Sequence, residues 1–303
     1  MNRLLPLITL LLALAAPAVA AQEHNIPGFG EGNAVSLNQE YYLGRAWLMS
    51  FRRQAPILDD ALLQDYVETL VFRLAETSQL RERRLVIVLV DNQTINAFAV
   101  PGGIVGVHSG LIAKAESEAQ FSSVLTHELA HLSQRHFARG LESQKKSSAA
   151  TMAGLLGGLV AIAAGAPDVG MGAIMGGQAA AMNSQLSYSR QHEQEADRVG
   201  MQNQVSAGLD PGGAAGMFTV MQRESRNYGA RPPEFLLTHP LTESRIADAK
   251  NRAATYPKRM YEDSREFQLM RARVELSFID SDEEAVAHFR RSRAEGGRQA
   301  VSA

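Results

Sequence analysis

The 303-residue chain carries 30 lysines and arginines against 32 aspartates and glutamates, a formal net charge of −2, and it has no cysteine. That balance, with no basic stripe interleaved with aromatics, excludes a nucleic-acid partner. Without cysteine there are no disulfides, thiolate metal sites or thiol nucleophiles, so a metal here must rest on histidines and carboxylates.

Arg3, an apolar run from Leu4 to Ala16, Pro17 and the small-residue pattern Ala18-Val19-Ala20 have the layout of a cleavable secretory signal over residues 1–20, with the cut expected after Ala20. The run is short for a membrane span, and the exported chain is expected in the periplasm of a bacterial cell. Residues 22–34 are polar and read as a loose leader. Helical periodicity follows over 36–53 and 59–75, the second with Leu63, Val67, Leu70 and Leu74 on one face. The period then changes. Residues 85–90 are a continuous aliphatic and β-branched run, expected as a buried strand, and 96–100 and 104–108 follow as strands joined by the turn Pro101-Gly102-Gly103.

Ser117 and Gln120 form the Ser-x-x-Gln version of a capping box, and Phe121, Val124, Leu125, Leu129 and Leu132 recur at helical spacing, predicting one helix over 117–139. Within it lies His127-Glu128-Leu129-Ala130-His131. On a helix the two histidines project from one face and can share one metal, and Glu128 beside them can take a proton from metal-activated water. A catalytic site needs a third protein ligand, with the fourth position left to water. A third histidine at position 137 would supply it, but residue 137 is Phe and His136 is one place off. The alternative draws a glutamate from a second helix. Glu193 fits, and Asp197, one turn on, can orient a ligating histidine from behind.

Residues 149–182 are rich in Ala, Gly and Met and nearly uncharged. They are expected as a mobile helical hairpin over the active-site cleft, touching the membrane surface or a barrel partner, with a membrane span as the alternative. A helix resumes near Gln185 and carries His192, Glu193, Glu195 and Asp197; His192 and Glu195 are expected at the surface. Arg135 and His136 are expected at the exposed end of the metal helix, favourable there to its dipole, and His108 as a packed or edge residue. Helices are predicted over 213–226 and 242–254, with Thr238-His239-Pro240 between them, then a helical pair over 265–279 and 282–293 and a frayed tail over 294–303.

With these pieces in order, the chain resembles the zinc metallopeptidase family of the HtpX heat-shock protease and the CAAX prenyl proteases over residues 38–254. Asn96-Ala97-Phe98-Ala99 through Gly103 to Gly110-Leu111 looks like its edge-strand element, and His127 to His131 like its zinc helix. Glu193, Ala196 and Asp197 match its third-ligand helix, and His239-Pro240 with Arg245-Ile246 its late motif. The resemblance implies a gluzincin of α+β, mostly helical class. A zincin-type metalloprotease domain with a small mixed sheet and an active-site helix would cover 21–255, and 256–303 would form a helical tail like the start of a tetratricopeptide array. It implies one Zn2+ per subunit, held by His127, His131 and Glu193, with Glu128 as general base. A histidine at the place of His239 sits near the metal in the family and can occupy the open position, restraining activity; a transition-state role is the other reading. Arg245 pairs with a carboxylate of the site or with substrate. The strand at Asn96, Ala97, Phe98 and Ala99 is expected to take an extended substrate as an added strand.

The similarity runs toward periplasmic members that join a signal peptide and a soluble catalytic domain to a tetratricopeptide array. It implies unfolded polypeptides as substrates and the outer-membrane barrel assembly machinery as a partner. The stretch after Tyr256 has room for about one repeat of roughly 34 residues, which leaves a short relative or a piece of a longer chain as the two readings. A competing function is that of a chaperone or assembly factor for outer-membrane β-barrel proteins with proteolysis normally off. A membrane-embedded prenyl-protein protease would require several spans.

Overall fold

The computed structural model describes residues 35–143, 157–158, 165–166, 179–227 and 233–301. The expected signal (1–20), the leader (22–34) and nearly all of the expected hairpin (149–182) lie outside the described residues.

Two helices open the described chain. Helix α1 (Leu37–Phe51) starts at a complete capping box, with Ser36 accepting from the Gln39 N–H and the Gln39 side chain accepting from the Ser36 N–H. Helix α2 (Ala61–Thr77) is capped by Asp60 and buries Leu63, Val67, Leu70 and Leu74 along one face. Strands β1 (Val86–Val90), β2 (Ala97–Val100) and β3 (Ile104–His108) make a mixed sheet of order β1-β3-β2, with β1 parallel and β2 antiparallel to β3. Gly102 and Gly103 sit at φ 84° and 81° in the β2–β3 turn, a conformation that residues with a Cβ rarely adopt.

Both faces of the sheet are covered, which is why β1 reads as an unbroken apolar run. Val88 and Val90 pack with Val100, Ile104 and α1 residues Trp47 and Phe51, while Ile87 and Leu89 pack with Val105 and Val107 in the larger core of α2 and later helices. Because β2 is at the sheet edge, its outer rim borders the cleft described below.

A short helix, α3 (Ser109–Lys114), separates β3 from α4 (Glu118–Ser133), an element the sequence pattern did not suggest. The expected single helix over 117–139 is also broken. Helix α4 ends at Gln134, Arg135 takes φ 53°, and α5 (His136–Ser143) begins in a new direction. A left-handed arginine costs roughly 1–2 kcal/mol. It is held here by Glu40, whose Oε1 accepts from Arg135 Nη2 at 3.0 Å and Nε at 3.2 Å, and by the Val35 carbonyl.

The chain then runs through α6 (Ala179–Ser206), α7 (Gly213–Asn227), the short α8 (Glu234–Thr238), α9 (Glu243–Ala253), α10 (Arg265–Ser277) and α11 (Asp282–Val301). Helix α6 makes the most extensive packing with α4. Gly200 is what lets them close: a Cβ there would sit 3.1 Å from the backbone of Thr126 and His127. Helix α10 joins the same core, with Phe267 fully buried and stacked on Phe121 at 5.9 Å. The expected frayed tail is corrected as far as residue 301: α11 runs on through it, despite Gly296 and Gly297. The fold is α+β and mostly helical, and no helix among the described residues is long and apolar enough to cross a membrane.

Candidate metal centre

Helical spacing puts His127 and His131 one turn apart on α4, with their Nε2 atoms 3.0 Å apart. Glu193, on the facing α6, brings Oε2 to 3.3 Å from His127 Nε2 and Oε1 to 3.3 Å from His131 Nε2. His239, just after α8, closes the group: its Nδ1 is 3.0 Å from Glu193 Oε1 and 3.4 Å from His127 Nε2. One donor atom from each of the four residues lies within 4.8 Å of every other. Tetrahedral ligands at bond lengths of about 2.0–2.1 Å stand roughly 3.3–3.4 Å apart, so this donor set fits a small divalent ion. Two imidazole nitrogens facing each other at this range, with a carboxylate beside them, are a cluster that a cation relieves.

The outer face of the site is built from α6 and α9. Asp197 Oδ1 is 3.0 Å from His127 Nδ1, which holds the Nδ1 proton and turns Nε2 of His127 inward. Arg245 reaches from α9 with Nε and Nη2 on the two Asp197 oxygens at 2.7 and 2.8 Å, and Nη1 at 3.0 Å from Glu193 Oε2. Burial opposes charge on every one of these groups, and the partners outweigh it. His127 is raised to about 10 by Asp197 and Glu193. Glu193 is held well below the carboxylate range by His239 and His127, and Asp197 is lowered by Arg245 and His127. His131 is the exception: burial pushes it down despite Glu193.

Glu128 stands beside the cluster without belonging to it. It is 1 % exposed, its Oε1 has no hydrogen-bond partner among the described residues, and His239 Nε2 is 3.4 Å away, outside hydrogen-bond geometry. A buried carboxylate left this free can accept a proton. A cleft opens in front of it, lined by Asn96, Phe98, Ala99, Glu128, His131 and His239 among others. Ala97, the fourth residue of the expected substrate strand, faces the core instead.

Two residues assigned to the surface are buried, and the third, Glu195, stays partly exposed. His136 and His192 are 5 % and 6 % exposed, with their rings stacked at 4.0 Å, and Glu195 bridges His136 Nε2 and Arg139 Nη1. The cause is the left-handed Arg135, which turns α5 back over α6 rather than out into solvent.

A further buried group escaped the sequence reading. Glu234, at the start of α8, accepts from Asn96 Nδ2 at 3.4 Å and lies 3.7 Å from the fully buried His108. Only its position in the fold marks it. Burial raises its pKa to about 7, although Thr94 and Asn96 pull it down. A raised carboxyl favours folding while protonated. That contribution is complete below the ordinary value of 4.5 and is lost as pH rises through 7. Glu234→Gln is therefore expected to be more stable than wild type at pH 8, by up to about 3 kcal/mol, and nearly equal to it at pH 4.5. Urea unfolding at the two values measures this; a difference that does not change with pH would exclude Glu234 as the titrating group.

The chain matches the model of peptidase family M48 over residues 61–253. It is 38 % identical over 263 residues to the beta-barrel assembly-enhancing protease of Escherichia coli K12, covering 86 % of this chain and 53 % of that protein. The protein of the same name from Yersinia pestis is 36 % identical over 259 residues, with 86 % and 53 % covered. The mitochondrial metalloendopeptidase OMA1 of Arabidopsis thaliana is 29 % identical over 197 residues, covering 65 % of this chain and 37 % of that protein. The chain thus spans about half the length of the first of these relatives. With the family match centred on the helices that carry the histidines and Glu193, the chain belongs to peptidase family M48 and its domain is that of a metalloendopeptidase.

Proposed function

We propose that the chain is a periplasmic zinc endopeptidase that hydrolyses peptide bonds in unfolded or misassembled outer-membrane proteins. The observation that carries the chemistry is the donor cluster with a buried carboxylate beside it whose Oε1 accepts no hydrogen bond among the described residues. His127, His131 and Glu193 would hold one zinc ion, Asp197 would orient His127, and Arg245 would keep the two acidic residues ionised. When bound, the metal supplies a Lewis acid that acidifies water and polarises the scissile carbonyl. Glu128 takes the proton from the attacking water and returns it to the leaving amine. The edge strand β2 aligns an extended substrate along the cleft through Asn96, Phe98 and Ala99, which selects unfolded segments over folded surfaces. The substrate class and a working partnership with the barrel assembly machinery rest on the relatives named for barrel assembly. Export rests on the signal-like residues 1–20, and peripheral membrane contact on 149–182.

Metal removal tests the reading directly. Purified chain is expected to carry about one zinc, to lose hydrolysis of a casein-type substrate on chelation, and to recover it when zinc is restored. Cleavage that persists in metal-free protein would end the proposal.

A second reading, an assembly factor with proteolysis normally off, is favoured by His239. Its Nδ1 stands at the corner of the donor cluster where water would enter, and its Nε2 faces Glu128. If His239 holds the site shut, His239→Ala should raise casein hydrolysis several-fold at unchanged zinc content. An unchanged or lower rate would remove self-inhibition and leave a transition-state role or none.

A further inference from the structure

Both histidines of α4 have an outer nitrogen to satisfy, and only one of them meets a carboxylate directly. His127 Nδ1 has Asp197. His131 Nδ1 faces instead the Nδ1 of His136, at 3.0 Å, with the two rings nearly perpendicular at 86°. Behind His136, its Nε2 is 3.2 Å from Glu195 Oε2, and the same oxygen accepts from Arg139 Nη1 at 2.8 Å. His192 stacks flat on the His136 ring at 4.0 Å and fixes its plane.

Two imidazole nitrogens that face each other need one proton between them, and its position is decided at the far end of the chain. Glu195, paired with Arg139, is an acceptor only, so His136 must carry its proton on Nε2 and present a lone pair at Nδ1. The opposite tautomer would set a nitrogen lone pair against carboxylate lone pairs. His131 must then donate from Nδ1, which leaves its Nε2 as a lone pair pointing into the donor cluster.

We infer that His136 is a positioning residue for the metal site: backed by Glu195, it sets the tautomer and ring orientation of His131 through a histidine relay, as Asp197 does for His127 by direct contact. The inference rests on the proposal that His131 is a metal ligand. It explains why α4 is interrupted at Arg135, because a continuous helix would carry His136 away from His131. Outer partners of ligating histidines typically contribute 10–100-fold in metal affinity.

The test uses the full chain, stripped of metal and titrated with Zn2+ against a chromogenic chelator, and with Co2+ for its visible spectrum. His136→Phe keeps the stacked ring and removes both nitrogens; it is expected to weaken Zn2+ binding by about 10–100-fold and to alter the Co2+ bands. His136→Asn offers an amide oxygen near the place of Nδ1 and is expected to recover most of that loss. Glu195→Leu, at a partly exposed position, is expected to weaken binding several-fold and serves where His136→Phe does not fold. Wild-type affinity in His136→Phe or Glu195→Leu would overturn the inference, as would equal losses in the Phe and Asn variants, which would mean packing alone. A wild-type chain that binds no Zn2+ would instead bring down the metal-site proposal itself, so the two failures are distinct.

Discussion

Glu128→Gln is expected to lower hydrolysis of an unfolded protein by roughly 10²–10⁴-fold while bound zinc stays at the wild-type level. Glutamine keeps the volume and the hydrogen-bonding reach of glutamate, so the buried pocket beside α6 is undisturbed. What it lacks is the basic oxygen. Glu128 is not one of the four residues that form the donor cluster, and its Oε1 makes no hydrogen bond that the substitution would break. The loss should therefore fall on kcat rather than on metal affinity or folding. Measuring kcat/KM and zinc content on the same preparation separates these effects. Activity within tenfold of wild type in zinc-loaded Glu128→Gln would show that another group takes the proton.

The same imidazole that faces Glu128 also faces the donor cluster, and this couples two experiments. His239 is held over the site from two directions: its backbone N–H donates to the Phe235 carbonyl at 2.8 Å, and its ring stacks on Phe235 at 4.5 Å. Helix α8 is in turn pinned to the start of β2, where the Phe235 N–H donates to the Ile95 carbonyl at 3.2 Å and Glu234 meets Asn96. The segment that covers the metal corner and the strand proposed to take substrate are thus one hydrogen-bonded unit. A substrate that adds to β2 would press on the element that carries His239. If His239→Ala shows that His239 holds the site shut, this link would be a route to relief that needs no separate effector.

The parts of the site legible in the sequence are those set by local periodicity. The i, i+4 spacing of His127 and His131, and of Glu193 and Asp197, fixes which side chains share a face once the helices are recognised. The unbroken run at 85–90 likewise announces a strand covered on both sides, and the structure covers it with α1 on one side and α2 on the other. What stayed hidden depends on partners far along the chain. Arg135 reads as a helix former, and its left-handed turn is held by Glu40 and the Val35 carbonyl, 95 and 100 residues earlier. That turn is what buries His136, so its misassignment and that of the helix end are one error. His192 followed from it, because the surface it was given is where α5 packs. Glu234 offers no motif; it matters because β2, β3 and α8 converge on it. The sheet order β1-β3-β2 is similarly decided by which strand edges the helices cover, and no periodicity reports that.

Arg245→Met is expected to destabilise the metal-free chain by about 3–5 kcal/mol, the range seen when one partner of a buried ion pair is removed. Arg245 is 4 % exposed and its guanidinium meets four acceptor atoms: both oxygens of Asp197, Oε2 of Glu193 and, from Nη1 at 2.8 Å, the Pro240 carbonyl. It also lies over the Phe218 ring at 5.3 Å. Methionine fills much of the same space, so the change isolates the charge from the packing. Without it, two buried carboxylates keep only histidines as counter-charge, and the carbonyl that orients the loop after His239 loses its donor. Arg245→Lys should recover only part of the loss, since a single ammonium cannot bridge Asp197 in the planar two-point geometry and still reach Glu193. Denaturant unfolding of the three metal-free proteins measures the series. An Arg245→Met chain as stable as wild type would mean that the acidic pair does not depend on the guanidinium, and that Arg245 owes its place to substrate instead.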